Sequence, residues 1–131
     1  MEASRTHCSI VAIVALCIFI TACSANPKPV VGSANQFDSD TYLTLVTADA
    51  LIQSTKTQLA NGAFPVNIAG NVKTALNDLI TAYDVANTAW LAYHTSALAG
   101  QSTQAQINVV NGTINNVNVA TVQLTSVKGA H

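Results

Sequence analysis

The chain has 131 residues, enough for one domain, and Asp, Glu, Lys and Arg together make up 8% of it, against roughly 25% in an average soluble protein. With a net charge of -1 and no basic stretch longer than one residue, it offers no stripe to neutralise phosphates, so nucleic acid is excluded as a partner. Half the residues are apolar, mostly aliphatic, so the surface must be covered by Thr, Asn, Gln and Ser.

The first nine residues are mildly positive, with Arg5 and the terminal amine set against Glu2. Ile10 to Ile20 is then an unbroken apolar run of eleven. That is the length of an export-signal core, well short of the roughly 20 residues that span a bilayer. The run ends in Ile20-Thr21-Ala22-Cys23: aliphatic, β-branched, small, cysteine.

This tetrapeptide resembles the lipobox of bacterial lipoproteins. The resemblance covers about the first 23 residues and implies nothing about the domain behind them. It implies cleavage between Ala22 and Cys23, a diacylglyceryl group on the Cys23 thiol, and attachment of the mature chain to a membrane of the cell envelope. Ser24, where an Asp tends to mark retention at the inner membrane, leans towards the outer membrane, facing the periplasm. The cysteine arithmetic agrees: Cys8 and Cys17 lie in the part removed, and Cys23 alone is kept. One blocked cysteine leaves neither a disulfide framework nor a thiolate metal site, and no metal or other cofactor is expected.

Residues 23–36 read as the lipidated cysteine and a tether. Pro27, Pro29 and Gly32 stand among small polar residues, a composition for extended or flexible spacer. A helical domain is expected over 37–131, with helices at about 38–61, 66–99 and 103–127.

In the first helix Leu45, Ala48, Ile52, Thr55 and Leu59 recur at steps of three and four, which places them on one face. Asp38 or Ser39 is the expected N-cap, and Asp38 and Asp40 favour the positive end of the helix dipole. Asn61-Gly62 supplies the stop, and Pro65 bars continuation.

The second helix carries the clearest pattern: Val72, Leu76, Leu79, Tyr83, Ala86, Trp90, Tyr93 and Ala97 alternate steps of four and three until Gly100. Its length, on the order of 50 Å at 1.5 Å per residue, calls for partners along the stripe.

In the third segment Thr103 and Gln106 form a capping-box pair, and Ile107, Val110, Ile114, Val117, Thr121 and Leu124 keep the three-four rhythm. Its many Val, Ile, Thr and Asn residues and its Asn111-Gly112 pair would equally suit a β-hairpin. The unbroken rhythm across Asn111-Gly112 favours a helix, because a hairpin has no reason to keep that phase. The whole reads as an all-α, antiparallel three-helix bundle with a long central helix, part of which extends beyond its shorter neighbours.

Chemistry is sparse. Tyr83, Trp90, Tyr93 and His94 form the aromatic cluster of the chain, read first as core of the long helix and second as the lining of a ligand groove for a small apolar or aromatic molecule. His94 has no orienting carboxylate on its own helix, Asp84 lying ten residues earlier, and no nucleophile at a useful spacing. No enzyme is expected. The domain is expected to act through protein contacts, as a homo-oligomer or against another envelope protein, since low charge removes long-range repulsion.

Overall fold

The computed structural model describes residues 29–130; the export signal, the lipobox and Cys23 lie outside the described residues. Three helices follow one another: α1 (Gln36–Ala60), α2 (Val66–Leu98) and α3 (Gln104–Lys128). The fold is an all-α three-helix bundle, and the described residues contain no strand.

Local signals set most of the boundaries. Gly62 and Gly100 adopt φ of +67° and +68°, the left-handed conformation that lets the chain leave α1 and α2 in a tight turn. Pro65 precedes the first residue of α2. At the start of α3, Thr103 and Gln106 make the reciprocal capping box: Thr103 Oγ1 accepts from the Gln106 backbone N–H, and the Thr103 N–H donates to Gln106 Oε1 at 2.9 Å. Asn111-Gly112 lies inside α3, and Gly112 has an ordinary helical backbone. The hairpin alternative is thereby removed.

The start of α1 differs from the expectation. The cap is Asn35, whose side-chain oxygen accepts from the Asp38 N–H at 2.9 Å, and the helix begins at Gln36. Asp38 and Ser39 lie in the first turn with their side chains turned inward. Residues 30–35, expected to belong to the spacer, are tied to the bundle. A turn closed by Ser33 N–H to the Val30 carbonyl, with Gly32 at φ +92°, returns the chain so that the Val30 N–H donates to Ser39 Oγ at 2.8 Å.

The core follows the sequence stripes closely. Leu45, Ala48 and Ile52 of α1, Val72, Leu76, Leu79 and Ala86 of α2, and Val117 and Leu124 of α3 form one buried cluster. Tyr83, Trp90, Leu59 and Ile114 pack against it partly buried. The longest interface is between α2 and α3, and α1 meets α3 least, leaving a shallow groove of about 520 Å³ between Leu43, Leu51 and Thr121. Two contacts fix the directions. The first turn of α1 touches the end of α2 through Asp38, and the ends of α1 and α3 meet where Lys128 Nζ donates to the buried Thr55 hydroxyl. α2 is covered from Ile68 to Tyr93, so the overhang expected of the long helix shrinks to its last turn, where Leu98 is 60% exposed. No helix among the described residues is long and apolar enough to cross a membrane.

Candidate functional site

The polar centre of the bundle lies where the chain enters it, around Asp38. This carboxylate is fully buried and gathers three donors from two other parts of the chain. Trp90 Nε1–H donates to Oδ1 at 2.8 Å, and the Ala34 N–H donates to Oδ2 at 2.8 Å. His94 presents Nδ1 to Oδ2 at 2.7 Å. An ionised carboxylate can only accept, so the imidazole proton sits on Nδ1 and Nε2 is the ring nitrogen left over. A second bond runs beside this one, from Asn35 Nδ2 to the Tyr93 hydroxyl at 2.9 Å, so the cap residue of α1 is itself held by α2.

The rings pack around this network. Phe37 meets Tyr93 edge to face with centroids 5.1 Å apart, and Trp90 is flanked by Tyr42 at 5.5 Å and His94 at 5.2 Å in tilted stacks. Aromatic area, charge-assisted hydrogen bonds and a buried helix start are thus combined in one joint between α1, α2 and residues 30–35. Burying a carboxylate is costly unless its oxygens are occupied. Here both are.

Helix phase explains why α2 supplies three of these groups. Trp90 and Tyr93 stand three residues apart and His94 four beyond Trp90, so all three fall on neighbouring positions of one face. Tyr93 points into the core, with 1% of its surface exposed. Trp90 and His94 sit at its edge, and the His94 side chain is 24% exposed. Tyr83 is two turns earlier and lies partly buried against the core. Its hydroxyl pKa is raised, first by burial and then by the negative charges of Asp49 and Asp84, with Tyr42 contributing last.

The four aromatic residues singled out by the sequence are therefore not one surface. Trp90 and His94 line an open groove of about 280 Å³ together with Tyr42 and residues 30–33, whereas Tyr93 and Tyr83 do not. Cys23 and Ala22 lie outside the described residues. Asn35, Phe37, Asp38 and Tyr42 join the site without having been singled out for it by the sequence. Asp38 had a sufficient local explanation as an acidic residue at a helix start, and its partners are 52 and 56 residues away. Tyr42 lies off the α1 stripe. Asp38 and His94 form the carboxylate–imidazole pair that α2 alone could not supply, and no hydroxyl or thiol among the described residues hydrogen-bonds to His94. The chain matches no protein-family model, no curated protein and no solved structure.

Proposed function

We propose that the chain is an exported lipoprotein of the cell envelope, held to a membrane through Cys23, with a helical domain that acts through protein contacts or self-association and not through catalysis. The observation that carries this reading is the Ile20-Thr21-Ala22-Cys23 sequence directly after an eleven-residue apolar run, in a chain whose other cysteines both precede it. Two or more acyl chains on the new N-terminus supply a firm anchor, each buried methylene contributing about 0.8 kcal/mol, where a single chain holds marginally. The domain itself presents Val85, Leu91, Val109, Val119 and Val122 half-exposed or more, on helices whose outer faces are rich in Asn, Gln and Thr. Such faces suit contact with another protein or a second copy.

Membrane fractionation of a Cys23→Ser chain tests the anchor. The variant is expected in the soluble fraction, and retention in the membrane pellet would rule the anchor out. Sedimentation of the soluble domain tests self-association: a monomer at every concentration from nanomolar to near-millimolar excludes it.

A second reading is favoured by the groove beside Trp90. A small aromatic or apolar molecule lying along residues 30–33 would meet the edges of Tyr42, Trp90 and His94. Trp90 is the single tryptophan, so its emission should shift or quench with such a ligand, and constant emission across a panel of small aromatics argues against the groove.

A further inference from the structure

The network at Asp38 shortens the tether, and the shortened tether keeps one end of the bundle near the bilayer. Residues 30–35 belong to the domain, fixed by Val30 N–H on Ser39 Oγ and Ala34 N–H on Asp38 Oδ2. Seven residue steps remain between Cys23 and Val30. At about 3.3–3.6 Å each they reach at most about 25 Å, half the length of α2. The end of the bundle formed by the start of α1, the end of α2 and the start of α3 must therefore lie within that reach of the membrane that holds Cys23, which excludes an inverted bundle and leaves upright and side-on ones. This step rests on the lipid anchor proposed above.

That end is built differently from the other. The lysines of the described residues, Lys56, Lys73 and Lys128, fall in the last turns of α1, near the start of α2 and at the end of α3, all at the opposite end. From Ala86 to Val127 the sequence contains no Asp, Glu, Lys or Arg. At the tethered end Asp38 is buried on its three donors, leaving Asp40 as the exposed charge. Val31 is fully exposed at the tip of the entry turn, Leu98 is 60% exposed at the end of α2, and Tyr42 shows 38% of its surface beside Trp90. Aliphatic side chains at a tip, with Tyr and Trp just behind and no lysine or arginine among the described residues there, match the interfacial zone of a bilayer, where amphipathic rings reside.

We infer that this end of the bundle, led by Val31 and Leu98 with Tyr42 and Trp90 behind them, rests in the headgroup zone of the bilayer that carries Cys23. The occupant is a lipid surface. Lys56, Lys73 and Lys128 point away, and Lys28 of the tether is the one lysine on the membrane side, so anionic lipid adds a single ion contact to a mainly apolar one. The anchor holds the domain at the bilayer, and the exposed apolar tip sets which way up it stands.

The acylated Cys23 thiol leaves the mature chain without a free thiol, so one introduced cysteine can be labelled alone. Val31→Cys and Leu98→Cys report on the membrane-facing end; Asn61→Cys and Gln123→Cys report on the opposite end, and all four positions are exposed. The lipidated protein is labelled with an environment-sensitive fluorophore and reconstituted into phosphatidylcholine vesicles, with and without lipids bearing a nitroxide near the headgroup. Labels at 31 and 98 are expected to shift to the blue and to be quenched severalfold more than those at 61 and 123, with little change on adding anionic lipid. Equal quenching at all four positions in protein that floats with the vesicles overturns the orientation while leaving the anchor intact. Protein that fails to float overturns the anchor, and this inference with it.

Discussion

Asp38 is the residue on which the joint between α1, α2 and the entry segment depends, and its truncation should be among the most damaging single changes in the chain. Asp38→Ala leaves Trp90 Nε1–H, the Ala34 N–H and His94 Nδ1 without the acceptor they share at 2.7 to 2.8 Å. A stranded buried donor costs about 1–3 kcal/mol, more when the lost acceptor was charged. Water can reach part of the gap, because Trp90 and His94 are at the edge of the core. The expected loss is therefore about 3–5 kcal/mol, below the sum of three such penalties, and a large share of the roughly 5–15 kcal/mol that holds a domain folded. Asp38→Asn keeps the shape and one good acceptor oxygen, and should lose about 1–2 kcal/mol. Urea unfolding followed by helical circular dichroism gives both values. Trp90 emission supplies the local readout, moving to the red in Asp38→Ala. A loss under about 1 kcal/mol with unchanged emission would show that Asp38 acts as an ordinary helix-start acid and that the network contributes little.

Other outcomes follow from the same packing. Gly112 lies in mid-helix with helical φ and nothing within 4 Å of an added Cβ, so Gly112→Ala should stabilise by about 0.5–1 kcal/mol; destabilisation in thermal unfolding would contradict a helix there. Leu79 is fully buried at the centre of the core, and Leu79→Ala should lose about 2–5 kcal/mol, read from the urea midpoint at constant slope. Thr55→Val, at a buried site whose hydroxyl bonds only the half-exposed Lys128 amine, should lose under about 1 kcal/mol in the same assay, because the ammonium can turn to water. Tyr83 has a pKa above the ordinary value of about 10, because burial and then Asp49 and Asp84 oppose its ionisation. The folded chain holds that proton where the unfolded chain releases it, so stability should be full below pH 10 and fall as pH rises through the folded pKa. Tyrosinate absorbance of the native domain should include a late-ionising step that Tyr83→Phe removes.

The sequence by itself determined the fold class, the count of helices and nearly the whole core. Those features rest on local and periodic physics: a stripe at steps of three and four marks a buried face, and a left-handed glycine or a capping box marks an end. Leu45, Leu79, Val117 and Leu124 are buried for that reason. Even the Asn111-Gly112 pair could be placed correctly by phase. Tertiary structure decided where the domain begins and what its polar centre is. Asn35 caps α1 because Tyr93 holds it from 58 residues away, and Asp38 turns inward because Trp90 and His94 are waiting on α2. A Pro- and Gly-containing segment with no periodicity reads as spacer until side chains of the first turn of α1, themselves buried by the packing of α2, bind its amides. Hydrophobic periodicity records which side of a helix is inside. A hydrogen bond between two helices leaves no periodic trace, so the register that joins Asp38 to His94 had to come from the packed bundle.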